Sequence, residues 1–411
     1  DNMASKKTDW FQGIFPAPVT PLSRSDELDE EVYRQLIRFV LPHVNGVVPC
    51  GTTGEFSSLT FCEKQRAIEI CIDEVAGRVP VLAGTGCQST LETVKLTRWA
   101  RSAGATGALV VAPYFLKPAF NEVYDHYKEV DKVGLPLVLY NIPQTAGTHY
   151  RWWTAEGMGL ALDCVIGLKD SSGDMPFFMA ALEKLRGTIG LFTGHDEIVG
   201  AALLAGADGA ILASANLVPD VWQEIYQAAL RGEAEFVRQR QRDLQILTRL
   251  VVRKGGPQAV KEGLRMMGLP AMSDVRLPLI RGGEFEREDY EDLRTQLENL
   301  GKIPLRTVRL GGKEVLYALP ADLDPPRDDL TMSVGEGFAG PPFSEIAHVD
   351  LLLGRIDGPV GRAMERARNE PRPGHEVVVV CNQPLTLLVP TVTVRGNKAR
   401  QLVYEEAASG V

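Results

Sequence analysis

The chain reads SAGATGALVVAP at residues 102–113 and LAGADGAILAS at residues 204–214, two near-copies of one pattern. Each copy starts at the end of a helical segment, passes through glycine and a short turn, and enters an apolar run. The runs show little alternation with polar residues, as expected of parallel strands that are covered on both faces. The repeated pattern predicts units of one strand and one crossover helix.

Apolar runs of this kind occur eight times between Gly13 and Ser214. The segments between them, such as EEVYRQLIRFVLPHV at residues 30–44, have helical periodicity and leave room for one helix each. The runs are GIFPAPVTP from Gly13, GVVPCG from Gly46, VPVLAG from Val79, GALVVAP from Gly107, LPLVLYN from Leu135, CVIGLKD from Cys164, IGLFTG from Ile189 and GAILAS from Gly209. Because no hairpin turn of the Asn-Gly kind separates them, they predict a closed (β/α)8 TIM barrel rather than an open doubly wound sheet.

The pattern changes after the eighth run. Extra C-terminal helices are predicted over residues 219–231, 233–252, 256–267 and 286–300. The proline-rich and acidic stretch LPADLDPPRDDLTMS, residues 319–333, is typical of a solvated linker. Beyond it, AHVDLLLG from Ala347, GPVGRAMERARNE from Gly358, VVVVCN from Val377 and LLVPTVTVRG from Leu387 predict strand, helix, strand and strand. We therefore expect a barrel with helices over 8–303, a linker over 304–330 and a small α+β domain over 331–411.

Composition excludes several classes of function. The 44 basic and 53 acidic residues give a net charge of −9 without any run of Lys and Arg, so nucleic acid is not an expected partner. No apolar stretch approaches the roughly 20 residues that span a bilayer, and the first residues lack the apolar core of a signal peptide, so we expect a cytoplasmic protein with no membrane contact. The six cysteines and six histidines form no C-x-x-C or H-E-x-x-H motif, and no metal site is expected.

Barrel active sites lie at the carboxyl ends of the strands, which singles out the residues that close each apolar run. Thr52 and Thr53 follow the second run, Tyr140 closes the fifth, and Lys169 closes the sixth. A desolvated lysine can act as a nucleophilic amine and form a Schiff base with a 2-oxo acid. A tyrosine beside it can relay protons, and threonines in a turn can hold a carboxylate. The structural alternative is a rim lysine paired with Asp170.

Three motifs carry a resemblance to a known family. GTTGE at residues 51–55, YNIP at 140–143 and GLKDSSGD at 167–174 together resemble the dihydrodipicolinate synthase and N-acetylneuraminate lyase superfamily, over about residues 13–303. The resemblance implies a homo-oligomeric barrel, a tetramer or a dimer, that needs no cofactor. It implies that Lys169 forms the Schiff base with pyruvate or a related 2-oxo acid, that Tyr140 relays protons, and that Thr52 and Thr53 bind the carboxylate.

Departures from the family pattern bear on the substrate. Thr145 stands where the synthases carry an arginine for aspartate semialdehyde, which disfavours a role in lysine biosynthesis. Phe115 stands where the family has a tyrosine that reaches the proton relay across a dimer interface, so the relay is expected to be shorter or completed by water.

The segment after the seventh run, Gly194-His195-Asp196-Glu197, resembles the lyase branch, in which acidic residues bind hydroxyls of a sugar acid. This resemblance makes Gly194, Asp196 and Glu197 candidate substrate-binding residues. The structural alternative is that the two carboxylates favour the first turn of the following helix.

The tail carries a second resemblance. GEGF at residues 335–338, EIAHVDL at 345–351, GPVG at 358–361 and residues 392–401 resemble the first half of the formaldehyde-activating enzyme family, which condenses formaldehyde with tetrahydromethanopterin. The resemblance implies that His348 is a general acid/base, that Asp350 binds substrate, and that a pterin one-carbon carrier is a conceivable partner. Gln383 and Tyr404 replace a lysine and a glutamine of that family, which counts against unchanged pterin chemistry.

The two resemblances together predict a Schiff-base lyase or aldolase that acts on pyruvate or a 2-oxo acid and an aldehyde, with a tail that handles formaldehyde or another small carbonyl. Two alternatives stay open. One is a dehydratase of a 2-keto-3-deoxy sugar acid, because the same Schiff base can eliminate water. The other is a scaffold or sensor without catalysis.

Overall fold

The computed structural model describes residues 5–23, 25–269 and 274–303 with their side chains, and beyond them the backbone of six strands. The chain divides into two compact units, Asp1–Ile303 and Pro304–Val411. Each unit is described by itself.

The first unit contains a curved sheet of seven parallel strands in the order β1-β7-β6-β5-β4-β3-β2. The strands are β1 Gly13–Pro16, β2 Leu82–Gly84, β3 Gly107–Val111, β4 Leu137–Asn141, β5 Val165–Asp170, β6 Gly190–Thr193 and β7 Gly209–Leu212. Every strand residue is buried, which explains why the runs are apolar almost throughout.

The second predicted run, residues 46–51, fills the gap between β1 and β2 without forming a regular strand. Towards β1, the backbone N–H groups of Asn45 and Val48 donate to carbonyls at 2.8 and 3.0 Å. Towards β2, the carbonyls of Val47 and Pro49 accept bonds of 2.9 and 2.8 Å. Because Pro49 has no N–H, the ladder is interrupted there. The barrel is confirmed, with one irregular member in its ring.

Helices cover the outside of the ring. They are α1 Glu30–Val40, α2 Phe61–Val75, α3 Thr90–Ala103, α4 Phe120–Asp131, α5 Pro143–Ala146, α6 Trp152–Ala161, α7 Met175–Leu185 and α8 Val199–Ala205. Local signals fix their starts: Thr60 and Glu63 form a capping box on α2, and the carboxylate of Asp174 accepts from Phe177 N–H at the start of α7. None of the helices in the described residues is long and apolar enough to cross a membrane.

Five further helices follow β7, where four were predicted. They are α9 Pro219–Leu230, α10 Ala234–Asp243, α11 Gln245–Leu250, α12 Pro257–Met266 and α13 Arg287–Asn299. The single helix expected over 233–252 is two helices that meet at the buried Leu244. Helix α10 buries only Val237, whereas α11 buries Leu247, Thr248 and Leu250. A π-helical turn, Val251–Gly255, then leads to Gly256, whose positive φ of 45° ends the segment before Pro257.

Aromatic side chains fill the inside of the barrel. The rings of Phe11 and Phe192 are stacked with centroids 4.0 Å apart, and Phe15 contacts Phe192 edge to face at 5.5 Å. Tyr140 and Ile166 belong to the same interior cluster. The interior is therefore a packed core, and the open mouth lies at the carboxyl ends of the strands.

The second unit consists, where described, of three antiparallel strand pairs. They are β8 Arg306–Leu310 with β9 Lys313–Tyr317, β10 Ser333–Ala339 with β11 Ala347–Leu353, and β12 Val378–Asn382 with β13 Leu385–Leu388. Strands lie where they were predicted near Ala347 and Val377. β13 coincides with the run predicted from Leu387 only at its last two residues, and the rest of that run lies outside the described residues. The helix predicted from Gly358 lies outside the described residues.

The expected linker differs from the structure in its first part. Residues 306–317 form the pair β8 and β9 rather than an extended connection. The sequence there places polar and β-branched residues on both sides of Gly311-Gly312, a dipeptide that favours hairpin turns. Residues 318–330 lie outside the described residues, so the boundary near 331 stays a prediction.

Candidate active site

Lys169 lies near the end of β5 and points into the mouth of the barrel. Its register partners are Tyr140 on β4 and Phe192 on β6, both members of the interior cluster. Lys169 is only 4% exposed, and its Nζ lies 4.1 Å from the centre of the Tyr140 ring. The strand positions read from the sequence thus bring the predicted nucleophile and the predicted proton relay into contact.

The alternative pairing of Lys169 with Asp170 does not occur. The Asp170 carboxylate accepts a bond from Asn141 Nδ2 at 2.7 Å and bonds from the N–H and hydroxyl of Ser172 at 3.2 and 2.9 Å. Burial raises the pKa of the Asp170 carboxyl, against these hydrogen bonds. Lys169 has no ion pair or hydrogen bond within the described part of the chain, although its charge is close enough to Asp196 to act on the pKa of that carboxyl.

Thr52 extends this group. Its Oγ1 lies 3.2 Å from the Tyr140 hydroxyl, within hydrogen-bond distance. The turn that carries it is closed by bonds of 3.0 Å from Gly54 N–H to the Gly51 carbonyl and from Glu55 N–H to the Thr52 carbonyl. Thr53 lies half-buried in the same turn. Thr52, Tyr140 and Lys169 therefore form one continuous set of polar groups.

A buried ion pair that the sequence analysis missed supports the turn. Glu55, at a left-handed φ of 55°, accepts a 2.5 Å bond from Lys261 on α12, and both side chains are fully buried. Glu55 also accepts from Arg276 N–H at 3.1 Å, and Lys261 also donates to the Asp274 carbonyl at 2.6 Å. Burial lowers the pKa of the Lys261 ammonium, against the attraction of Glu55.

Gly194 lies directly against the catalytic candidate. Its N–H donates to the Asp170 carbonyl at 2.6 Å, and its carbonyl accepts from Ser171 Oγ at 3.1 Å. A Cβ at this position would overlap both Lys169 Cε and Ser171 Oγ. The structure thus places Gly194 where the lysine side chain needs space.

The two carboxylates after Gly194 are held by the protein. Asp196 is buried and accepts from the N–H of Ser214 at 2.8 Å and from its hydroxyl. Burial raises the pKa of the Asp196 carboxyl, against the bonds from Ser214. Glu197 accepts two bonds of 2.8 Å from Arg253 in the π-helical turn. Contact of either carboxylate with substrate stays a prediction.

His195 is a further polar group at this edge of the mouth. Its ring packs against Gly173, in the loop that follows β5. Its Nδ1 is buried and has no hydrogen-bond partner among the described residues. In the sequence this histidine stands within the motif after the seventh run, and nothing local indicates that it lies beside the loop of Lys169.

The two departures from the family pattern lie on the surface of this unit. Phe115 is 84% exposed and has a left-handed φ of 76°, and the neighbouring Leu116 is 83% exposed. Thr145 is exposed on the short helix α5. The Tyr140 hydroxyl is therefore partnered within this chain by Thr52 rather than by a residue at position 115.

The tail candidates lie on β11 of the second unit. The antiparallel register places His348 opposite Phe338, and Asp350 opposite Glu336. The roles of both residues stay predictions. Among the described residues, no group of three or more His, Cys, Asp and Glu could hold a metal ion.

Comparison with known proteins agrees with both resemblances drawn from the sequence. Residues 10–300 match the model of the dihydrodipicolinate synthetase family, and residues 334–411 match that of formaldehyde-activating enzyme. A 4-hydroxy-tetrahydrodipicolinate synthase of Nitratidesulfovibrio vulgaris (Miyazaki F) is 38% identical over 272 residues, which are 66% of this chain and 92% of that protein. The enzyme of the same name from Methanopyrus kandleri is 35% identical over 300 residues, 72% and 98% of the two chains.

Solved structures agree with the fold. The chloride-inhibited dihydrodipicolinate synthase of Acinetobacter baumannii, complexed with pyruvate, superimposes with a TM-score of 0.68 at 33% identity, over 71% of this chain and 99% of that one. A monomeric dihydrodipicolinate synthase variant gives a TM-score of 0.68 at 31% identity, over 72% and 98%.

Proposed function

Residues 10–300 make this chain a member of the dihydrodipicolinate synthetase family, and from that premise we propose that Lys169 forms a Schiff base with pyruvate whose enamine adds to a small aldehyde. The chain is an enzyme of the pyruvate-dependent class I aldolase type. The alternative of a scaffold or sensor without catalysis is therefore wrong.

One observation carries the proposal: Lys169 is buried beside Tyr140 with no ion pair among the described residues. The amine attacks C2 of pyruvate and water leaves, which gives an imine. Loss of a proton from C3 gives an enamine, and C3 then forms a bond to the aldehyde carbon while the aldehyde oxygen takes a proton. Water hydrolyses the product imine and restores the amine. Tyr140 moves protons in these steps, with Thr52 as its partner.

The turn at Thr52 and Thr53 suits the pyruvate carboxylate. Their backbone N–H groups and the Thr53 hydroxyl have no partner within the described residues. Hydroxyl and N–H donors that face the same space favour an anion. We assign carboxylate binding to this turn.

The acceptor is proposed to be a small aldehyde other than aspartate semialdehyde. Thr145 offers no charge for a second carboxylate, and the tail matches a family named for formaldehyde. With formaldehyde, the product is 4-hydroxy-2-oxobutanoate. His348 is then the general acid/base of the second unit and Asp350 contacts the one-carbon substrate, while a pterin carrier stays a prediction from that family alone.

The dehydratase alternative has weaker support. It rests on the same Schiff base, which can eliminate water, and the candidate groups for sugar hydroxyls, Asp196 and Glu197, already accept hydrogen bonds from Ser214 and Arg253. Dehydration would conserve the carbon chain, so product analysis distinguishes the two reactions.

We further propose that the protein is a homo-oligomer, a dimer or a tetramer. The exposed Phe115 and Leu116 supply apolar surface beside the barrel mouth. Sedimentation of the full chain tests this, and a monomer at micromolar concentration would contradict it.

Trapping tests the Schiff base. The full chain is incubated with pyruvate and borohydride, which reduces an imine to a stable adduct, and peptides are mapped by mass spectrometry. We expect the adduct on Lys169 and none in Lys169→Ala. Lys64 is the matched control, since it is also buried beside an aromatic ring, with Nζ 5.6 Å from the Phe56 centroid. An adduct on Lys64, or none at all, would refute the assignment.

Product analysis tests the acceptor. The full chain is given 4-hydroxy-2-oxobutanoate, and pyruvate and formaldehyde are measured. We expect both products in equal amounts, and we expect His348→Ala to leave pyruvate formation unchanged while it reduces transfer of formaldehyde to a tetrahydropterin. Absence of both products would exclude formaldehyde as the acceptor.

A further inference from the structure

A cavity of about 350 Å³ lies between the loops that follow β3 and β4. Lys117 and Phe120 line it from one side, and His149, Arg151 and Trp153 line it from the other. Tyr150 and Val123 in its wall belong to the core between sheet and helices, and not to the cluster inside the barrel. The lining of the cavity includes none of the proposed catalytic residues Lys169, Tyr140 and Thr52.

The cavity is basic in an acidic protein. Its lining includes Lys117, His149 and Arg151 and no acidic side chain, although the chain has a net charge of −9. Lys117 and Arg151 have no ion-pair partner within the described ranges. The Arg151 guanidinium lies 5.1 Å from the centre of the Trp153 ring, a cation–π contact that orients it. Two cations thus face the same space without a carboxylate to neutralise them.

Backbone N–H groups at the start of α6 add hydrogen-bond donors beside the cavity. Helix α6 begins beside the cavity. The first N–H groups of this helix that donate to a backbone carbonyl are those of Thr154 and Ala155. The N–H groups of Trp152 and Trp153 have no partner among the described residues, as is usual in a first helical turn. The positive end of the helix dipole acts in the same direction as the cations.

We propose that this cavity binds a small organic anion, a carboxylate or phosphate attached to an apolar group. Lys117, Arg151 and the start of α6 hold the acidic group, while Phe120 and Trp153 contact the apolar part. The volume admits a molecule of a few to a dozen heavy atoms and excludes a macromolecule.

Hydrogen bonds connect the cavity wall to the catalytic strand. Tyr150 N–H donates to Asn141 Oδ1 at 3.1 Å, and Asn141 Nδ2 donates to Asp170 Oδ1 at 2.7 Å. Asp170 directly follows Lys169. These bonds join the cavity wall to the strand that carries Lys169, and binding in the cavity is proposed independently of the Schiff base.

Calorimetry with two probes tests the binding. Phenyl phosphate and inorganic phosphate are titrated into the full chain at constant ionic strength, with phenol as the uncharged comparison. We expect phenyl phosphate to bind more tightly than phosphate and phenol not to bind. We expect the double variant Lys117→Gln, Arg151→Gln to bind phenyl phosphate at least tenfold more weakly than the wild type does. The control Lys95→Gln, Arg98→Gln removes two exposed charges from α3 and should leave the affinity unchanged. An unchanged affinity in the first variant, or an equal loss in the control, would overturn the proposal.

A second arm separates this cavity from the barrel mouth. Enzyme trapped with pyruvate and borohydride has Lys169 blocked, and we expect it to bind phenyl phosphate as the free enzyme does. Loss of binding after trapping would place the anion in the mouth and refute a separate site. If no adduct forms, the proposed function is refuted, whereas the titrations of the two double variants still test whether the cavity binds the anion.

Discussion

Gly194 leaves the space that Lys169 Cε occupies, since a Cβ at position 194 would overlap it. We expect Gly194→Ala to displace the lysine side chain and lower both kcat and the rate of borohydride trapping at least tenfold, because misplacement of a reacting atom by about 1 Å is costly. Steady-state kinetics and adduct yield measure this.

Gly157 is the matched control for that substitution. It lies on α6 with no atom within 4 Å of an added Cβ. Gly157→Ala should keep full activity and gain up to about 1 kcal/mol of stability, because alanine favours a helix. Normal activity in Gly194→Ala would show that the lysine tolerates the displacement.

The hydroxyl of Thr52 is expected to assist Tyr140, 3.2 Å away. Thr52→Val keeps the shape and removes that partner, so kcat should fall about 100-fold, at the lower end of the range of acid–base assistance. Thr52→Ser keeps the hydroxyl and should retain most of the activity. Equal kcat values for the two variants, measured by pyruvate release, would argue against a proton-relay role.

Loss of Lys261 should destabilise the barrel strongly. Lys261→Met leaves Glu55 buried without its partner, and breaking such a pair costs about 3–5 kcal/mol. The double variant Glu55→Gln, Lys261→Met removes both charges and should recover a large part of that loss. Denaturant unfolding compares the three proteins, and a double variant no more stable than Lys261→Met would contradict the ion-pair explanation.

His126 should make stability depend on pH. The side chain is 3% exposed, and burial lowers its pKa to about 4. Between that value and the usual 6.5 the unfolded state binds the proton and the folded state does not, so stability falls as pH decreases through this window, by up to about 3 kcal/mol.

His126→Asn is expected to flatten this dependence. The exposed His43 provides the control, and His43→Gln should leave it unchanged. Unfolding free energies from pH 7 to pH 4 measure the difference between the variants. Parallel curves for wild type and His126→Asn would assign the pH dependence to other groups.

The sequence could predict the contact of Lys169 with Tyr140 because each residue closes an apolar run, and the ends of parallel strands meet at one edge. It could not predict the pair of Glu55 and Lys261, since 206 residues separate them and neither stands in a local pattern of charges. Burial decides that pairing, and burial depends on the whole fold.

The sequence also could not predict which residues bind the two carboxylates after β6. The motif after β6 made Asp196 and Glu197 candidate substrate-binding residues, but it could not show that they bind Ser214 and Arg253, which lie in remote segments. In the tail, the alternation around residues 306–317 was hidden by the proline-rich and acidic stretch that follows it, which dominated the composition.

The bidentate contact of Arg253 with Glu197 affects how the barrel can be isolated as a fragment. A polypeptide that ends after β7 would contain every proposed catalytic residue of the barrel. It would lack Arg253, however, and the loop after β6 would lose the two hydrogen bonds that Arg253 donates to Glu197. Lys302 further binds the Asp220 carboxylate at the start of α9 with bonds of 2.5 and 2.6 Å. Proteolytic mapping or domain transplantation should therefore cut after Ile303, because an earlier cut removes contacts that hold the catalytic mouth in shape.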